Sequence, residues 1–382
     1  MTTTSAEPVA SGEGAGGGAT GESATSSRRT GVVSRTQLEE TLLPPVVALL
    51  VAALVGDLLI VTFGQAPAEV YRLLLEGTWG NAYGLGQVLY KATTLAFTGL
   101  AIAFALRAGL FNIGGESQLA AGGFLAAVVG LALPAGLPWL LTLPVYVAAA
   151  LLGGALVGGT AGVLKARFGA HEVITTIMLN FIVLALLSFL TTVYLKVPET
   201  LHTSEIHSGA LPRLSDAVSA FHGSAANWVL ALAGVACAMT WWYLFRTRRG
   251  FELRAVGLQA PAAEYGGVKV RRVWWRAMTI SGAIAGLGGL NYVLGYKHYY
   301  EEGFAGGAGF LGIAVALVGR NHPVGVALAA LLFATISQGG LAVNALVPKQ
   351  FVEVLQAVVI IAVAVSVPEV RRLLRRERAS RV

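Results

Sequence analysis

Apolar and polar stretches alternate along the chain on the scale of a membrane crossing. The apolar runs are Leu42–Phe63, Leu85–Leu106, Leu119–Leu133, Leu141–Leu164, Val173–Leu195, Trp228–Phe245, Val273–Val293, Phe310–Gly319, Val324–Leu341 and Phe351–Val367. At about 20 apolar residues per bilayer crossing, most of them predict spanning helices. Several, and Phe310–Gly319 above all, are too short to cross alone, which predicts re-entrant or broken helices lining a cavity. The expected fold is an all-α integral membrane protein with about ten membrane segments. Leu42–Phe63 exceeds the 7–15-residue core of a signal peptide, so a retained first span is expected. After it, Pro67–Leu75 places Val70, Leu73 and Leu74 on one side and Glu69 and Arg72 on the other. That pattern predicts a helix lying in the outer interface, as a connector or as a docking platform for an extracytoplasmic protein.

Composition agrees: 382 residues, 55% hydrophobic and 12% charged, against about 25% charged in soluble domains, exclude a water-soluble enzyme. Forty-eight glycines exceed the usual ~7%, as expected where membrane helices pack closely or break around a ligand. The net charge of +7 could suggest nucleic acid until the cations are located. Arg246, Arg248, Arg249, Arg254, Lys269, Arg271 and Arg272 share one inter-span segment, and Arg371, Arg372, Arg375, Arg376, Arg378 and Arg381 follow the last run. With Arg107, Lys165, Arg167 and Arg320 they all fall on one side if both termini are cytoplasmic. Basicity therefore reports topology in the cell (inner) membrane and contact with anionic membrane lipid, and no nucleic acid is expected as a partner. Residues 1–40, rich in Gly, Ser, Thr and Ala, are expected to be a disordered cytoplasmic tail, 41–368 the transmembrane domain, and 369–382 a basic cytoplasmic tail.

Gly154, Gly158 and Gly162 recur at four-residue spacing, as do Gly282 with Gly286 and Ala285 with Gly289. Such faces pack helices tightly, within one bundle or between subunits. Catalytic motifs are missing. No Gly-Lys dipeptide exists for a phosphate loop, and there is no H-E-x-x-H, G-x-S-x-G or C-x-x-C. The single Cys237 excludes a thiolate cluster, so no metal and no catalytic residue is expected.

What remains is polar residues in apolar surroundings. Asn112 and Glu116 are four apart and are expected to share a helix face, with Gln118 in the same FNIGGESQ string. Membrane-embedded polar groups are costly unless they face a cavity or one another. The string reads as a solute path or gate, or as a hydrogen-bonded cluster fixing a helix break. Lys91, Asn180 and Asn291 extend the expected path, with Gln356 and Glu353 in the last run. Lys91 could pair with Glu116 or snorkel to the interface. Amides and hydroxyls suit a neutral polyol or heterocycle. In Gly250–Gly267 a helix is expected over Phe251–Val256, broken by Gly257, then a short helix from Pro261 ended by Gly266-Gly267. A rigid helix pair of this kind suits docking into a groove on a partner.

Four strings, RAGLFNIGGESQ (107–118), HEVITTIMLNFI (171–182), FELRAVGLQAPAAEYGG (251–267) and GFLGIAVALVGRNHPVG (309–325), together resemble the permease subunits of ABC importers in the simple-sugar and nucleoside branch. The resemblance covers roughly residues 40–367. It implies a transport subunit without its own ATPase, paired with a second, homologous or identical permease, driven by two ATP-binding domains and fed by an extracytoplasmic solute-binding lipoprotein. No cofactor is implied in this chain, and ATP with Mg²⁺ is expected in the partner subunits. It also implies that 251–267 is the ATPase-coupling element, with Arg254, Gly257, Ala263, Glu264 and Gly267 as its residues. Ser117, His171 and Gln259 depart from the family pattern, and Leu311 stands where many members have a polar residue. FNIGGESQ and TIMLN are closer to the nucleoside permeases than to the ribose or galactose ones. A stand-alone secondary transporter or channel for a small polar solute is the competing expectation.

Overall fold

The structure is a computed structural model that describes residues 50–209, 211–348, 350 and 353–362. The expected tails 1–40 and 369–382, and parts of the first and last apolar runs, lie outside the described residues. Helix accounts for 74% of the structure, and the described residues hold only isolated β-bridges, so the all-α expectation stands.

The helices, in chain order, are α1 (Leu50–Thr62), α2 (Pro67–Thr78), α3 (Ala82–Arg107), α4 (Gly115–Ala132), α5 (Trp139–Phe168), α6 (Glu172–Leu190, continued by a π-helical turn Thr191–Leu195) and the single turn α7 (Leu214–Ala217). After them come α8 (Val229–Arg246), α9 (Arg248–Leu258), α10 (Ala260–Tyr265), α11 (Val270–Leu287), α12 (Gly289–Val293), α13 (Ala308–Val318), α14 (Pro323–Ala342) and α15 (Glu353–Ala362). Six of these, α3, α4, α5, α6, α8 and α14, are long and apolar enough to cross a membrane, or up to seven spans if the bent pair α1–α2 counts as one.

The ten apolar runs therefore do not become ten straight spans, for physical reasons. α1 and α2 bend by 111° across Gly64, whose φ of 72° is left-handed, and Pro67 opens α2. Val273–Val293 is split at Gly288 into α11 and α12, and Arg271, Arg272 and Arg276 make the first turns of α11 polar. Phe310–Gly319 yields only the 11-residue α13. The amphipathic expectation for Pro67–Leu75 is met by α2, which buries Val70 in a satellite cluster with Ile60, Val343, Val347 and Leu355 while Glu69 stays exposed.

The glycine stripes explain the centre of the bundle. A Cβ on Gly154 would run into the Gly282 carbonyl, one on Gly282 into the Gly154 carbonyl, and one on Gly158 into Met278 O. α5 and α11 thus cross backbone to backbone, with α4 against both through Gly122, Gly286 and Gly153. α13 and α14 pack on the other side of α3, where Gly99 receives Val315 and Val326.

The two ends of the bundle differ. At the basic end, Arg107 donates to Asn321 O at 2.8 Å, the α9–α10 hairpin abuts Arg107 and Gly109, and Lys165 lies over the Trp274 ring. At the opposite end, residues 196–209 thread between two other loops. Thr203 N donates to Tyr300 O and Ile206 N to His298 O, while Gly209 N donates to Leu137 O and Tyr146 Oη to Ser208 O.

Candidate functional site

Three arrangements stand out: a junction of broken helices, a cavity beside it, and the hairpin at the basic end.

The junction begins where α3 ends at Arg107. The chain climbs through residues 108–114 without helix and re-enters helix at Gly115. Asn112 therefore lies ahead of α4 and Glu116 in its first turn, so the two do not share a helix face. Gly114 turns the chain into α4 at φ -75° and ψ 8°, and side chains replace the helical hydrogen bonds missing ahead of it. α6 supplies two of them one turn apart. Thr176 Oγ1 accepts from Ile113 N at 3.2 Å, and Asn180 Nδ2 donates to Ile113 O at 2.9 Å. Asn180 Oδ1 also accepts from Ser117 N at 3.1 Å. Asn112 and Gln118 form a reciprocal amide pair at 2.8 and 3.0 Å, and Asn112 Nδ2 donates to Ser281 Oγ on α11 at 2.8 Å. All five polar side chains, Asn112, Gln118, Thr176, Asn180 and Ser281, are buried.

Glu116 is buried as well, and both its oxygens are taken by backbone. Gly307 N donates to Oε1 at 2.8 Å and Gly309 N to Oε2 at 2.7 Å. The carboxylate thus caps α13, where a helix favours negative charge. Gly307, at φ 84°, turns the chain into that cap. Lys91 instead donates to Ser337 Oγ on α14 at 3.3 Å. Asn291 donates to Tyr90 O and Thr94 Oγ1 at 2.8 Å and accepts from Asn227.

Beside this junction lies a cavity of about 700 Å³, within the ~300–1,000 Å³ typical of small-molecule sites. Its polar lining is Tyr90, Lys91, Thr94, Ser337, Glu353 and Gln356, and its apolar lining includes Phe304, Leu311 and Ile360. The Gly306–Ala308 backbone completes a wall. Of the six residues expected on a solute path, Lys91 lines this cavity. Asn112, Glu116, Gln118, Asn180 and Asn291 are absent from its lining and hold the elements around it. Ser337, Thr94 and Tyr90 escaped the sequence reading because a single hydroxyl in an apolar helix carries no periodic signal. Thr176 was legible in principle, since it and Asn180 form a polar pair one turn apart on the otherwise apolar α6.

At the basic end, α9 runs through Gly257 to Leu258 and breaks at the extended Gln259, so the break falls two residues later than expected. Gly257 serves a close approach: a Cβ there would collide with Arg107 O. Pro261 sits in the first turn of α10, and Gly266 with Gly267, at φ 84°, ends it as expected. Leu253, Val256 and Ala263 are buried against the bundle. Phe245 is flanked by the Arg107 and Arg254 guanidiniums at 5.7 and 5.2 Å from its ring centroid, and by the His322 ring at 5.5 Å. Burial, then the Arg107 charge, hold the His322 imidazole below its usual pKa, which keeps it neutral among these cations. The outward tip is apolar: Leu258 is 89% and Tyr265 96% exposed, beside the exposed Glu264.

Residues 84–364 match the family described as "Branched-chain amino acid transport system / permease component". Over 333 residues the chain is 38% identical to the guanosine ABC transporter permease protein NupP of Bacillus subtilis (strain 168), covering 85% of this chain and 93% of that protein. It is 35% identical over 330 residues to the nucleoside ABC transporter permease protein NupB of Lactococcus lactis subsp. cremoris (strain MG1363), covering 85% and 90%. It is 33% identical over 330 residues to the glucose ABC transporter permease protein TsgB13 of Haloferax volcanii, covering 83% and 85%. No solved structure matches the chain.

Proposed function

The chain belongs to the branched-chain amino acid transport system / permease component family of ABC transporter permeases, and on that premise we propose that it carries a nucleoside inward through the cell membrane. NupP and NupB, named for guanosine and nucleosides, are more similar to it than the glucose relative TsgB13, which favours a nucleoside over a sugar. In this reading ten membrane segments, several of them broken, place both termini in the cytoplasm. The 251–267 hairpin then docks into one of two ATP-binding domains on separate chains, where ATP and Mg²⁺ are held. A second permease completes the path, and a solute-binding lipoprotein delivers to the far end. The solute contacts Lys91, Ser337 and Gln356 in the cavity. Asn112, Gln118, Asn180 and Asn291 serve the path by holding its broken helices.

The observation that carries this reading is the hairpin. Its inner face is packed rigidly on the turn after α3, and α11 leaves it directly, while two large apolar side chains at its tip have no intramolecular cover. Such a tip is costly in water and suits a partner groove. Arg254, Gly257 and Ala263 seat the hairpin, Glu264 lies at the rim, and Gly267 turns the chain into α11. Exchanging Leu258 for serine and Tyr265 for alanine together is expected to cost about 2 kcal/mol or more of docking energy, about thirtyfold in affinity. Co-purification of the ATPase subunits should fall accordingly, with this chain inserted in normal amount; undiminished co-purification would remove the hairpin as the docking element.

The whole reading is tested in vesicles. Guanosine uptake should require ATP, the ATPase subunits and the binding protein, and glucose should not compete. ATP-insensitive uptake by this chain alone would establish the stand-alone transporter instead.

A further inference from the structure

α4 and α13 run in opposite directions from a shared starting point deep in the bundle. α4 leads from Gly115 towards the loop that meets His207, and α13 leads from Ala308 towards Asn321 at the basic end. Their first turns touch backbone to backbone, since a Cβ on Gly309 would collide with Glu116 N. Glu116 closes the junction with one oxygen on each of two amides of the other half-helix. Such charge-assisted bonds are among the strong ones, and burial away from water strengthens them.

The same helix grips the same segment again two turns on. A Cβ on Gly123 would meet the Phe304 ring at 2.9 Å, and the Phe124 and Tyr300 rings meet edge to face at 5.3 Å. Residues 300–309 are thus held along α4, and Phe304 and Gly306–Ala308 of that segment wall the cavity. On its other side α4 lies against α11 through the Gly122–Gly286 backbone contact, and the segment leading into α4 is bound to α11 by the Asn112–Ser281 hydrogen bond. α11 begins five residues after α10 ends. A continuous line of packed backbone therefore runs from the hairpin through α11 and α4 to the cavity wall.

We propose that Glu116 is a positioning residue for transport: its carboxylate fastens the 300–309 segment to α4, so that a displacement of the hairpin and α11 moves the cavity wall. This rests on the importer reading above. Glu116 does not touch the solute. Without its charge the segment loses its anchor at the α13 cap, and ATP hydrolysis continues without moving the wall. The near-isosteric Glu116→Gln keeps one acceptor and sets an amide N–H against a backbone N–H, whereas Glu116→Asp keeps the charge.

Two measurements test this in the full importer with its ATPase subunits, second permease and binding protein. In vesicles, Glu116→Gln is expected to lower guanosine uptake about tenfold while ATP hydrolysis per assembled complex changes less than about twofold, and Glu116→Asp is expected to recover part of the uptake. Uptake and hydrolysis falling in parallel with complex yield in both variants, or unchanged uptake in Glu116→Gln, would overturn the proposal. The second measurement needs no solute. With Cys237 exchanged for serine and cysteine placed at the buried Ala305, labelling by a membrane-impermeant maleimide should be slow, and faster once Glu116→Gln is added. Equal labelling overturns the clamp. Faster labelling on adding Glu116→Gln, in an importer that moves no guanosine even with Glu116 intact, upholds the clamp and refutes the nucleoside reading alone.

Discussion

Replacing Gly282 with valine is expected to remove the folded protein from the membrane. α5 and α11 approach so closely that Gly154 and Gly282 each lie against the other's carbonyl, with Gly158 and Gly286 repeating the contact one turn away on either helix. Overpacking a core costs about 1–3 kcal/mol when side chains can shift. Here the obstacle is backbone of a neighbouring span, which no rotamer change can relieve, so a loss at or above about 3 kcal/mol is expected. In lipid the helices have no hydrophobic driving force between them, and close packing is what holds them. Gly234→Val on α8 is the control, because a Cβ there meets nothing within 4 Å. It should stay within about 0.5 kcal/mol of the wild type. Size-exclusion profiles and thermal unfolding in detergent read both variants, and equal behaviour of the two would show that the glycine crossing is dispensable.

Gly257→Leu is expected to abolish most solute uptake while leaving the bundle intact. Any side chain at this position meets Arg107 O and the backbone of Ala108, so α9 must lift off the turn that follows α3. The damage falls on the seating of the hairpin and not on the α5–α11 core. Allosteric coupling energies of about 1–3 kcal/mol correspond to roughly 5–150-fold, and an uptake loss in that range is expected with docking of the solute-binding protein unchanged. Gly257→Ala, which raises the same clash with a smaller group, should fall between wild type and leucine. Normal uptake by the leucine variant would show that hairpin seating does not govern transport.

The two stretches affected by these substitutions differ in how far the sequence reveals them. The 154/158 and 282/286 spacings predict tight helix faces, and the structure places those faces against each other within one bundle. Gly257 also stands out in the sequence, but as a helix breaker. Its use for a close approach appears only once the turn after α3 is beside it, 150 residues earlier in the chain.

The same contrast holds for the membrane segments and the polar residues within them. Six apolar runs become helices long and apolar enough to cross a membrane because hydropathy is a local property: about 20 neighbouring residues set the cost of leaving water. The short Phe310–Gly319 run announces a half-length helix for the same reason. Hydrogen-bond partners obey no such rule. Glu116 caps a helix that starts almost two hundred residues later, Asn180 serves the backbone of Ile113, and Lys91 reaches Ser337. A buried polar side chain must find a partner, and its type announces that need in the sequence. Which partner it finds depends on which helices become neighbours, and backbone contacts between distant glycines decide that. Membrane class, crossing lengths and the existence of a polar interior thus belong to the chain's local chemistry, whereas the lining of the cavity and the clamp beside it belong to the packing.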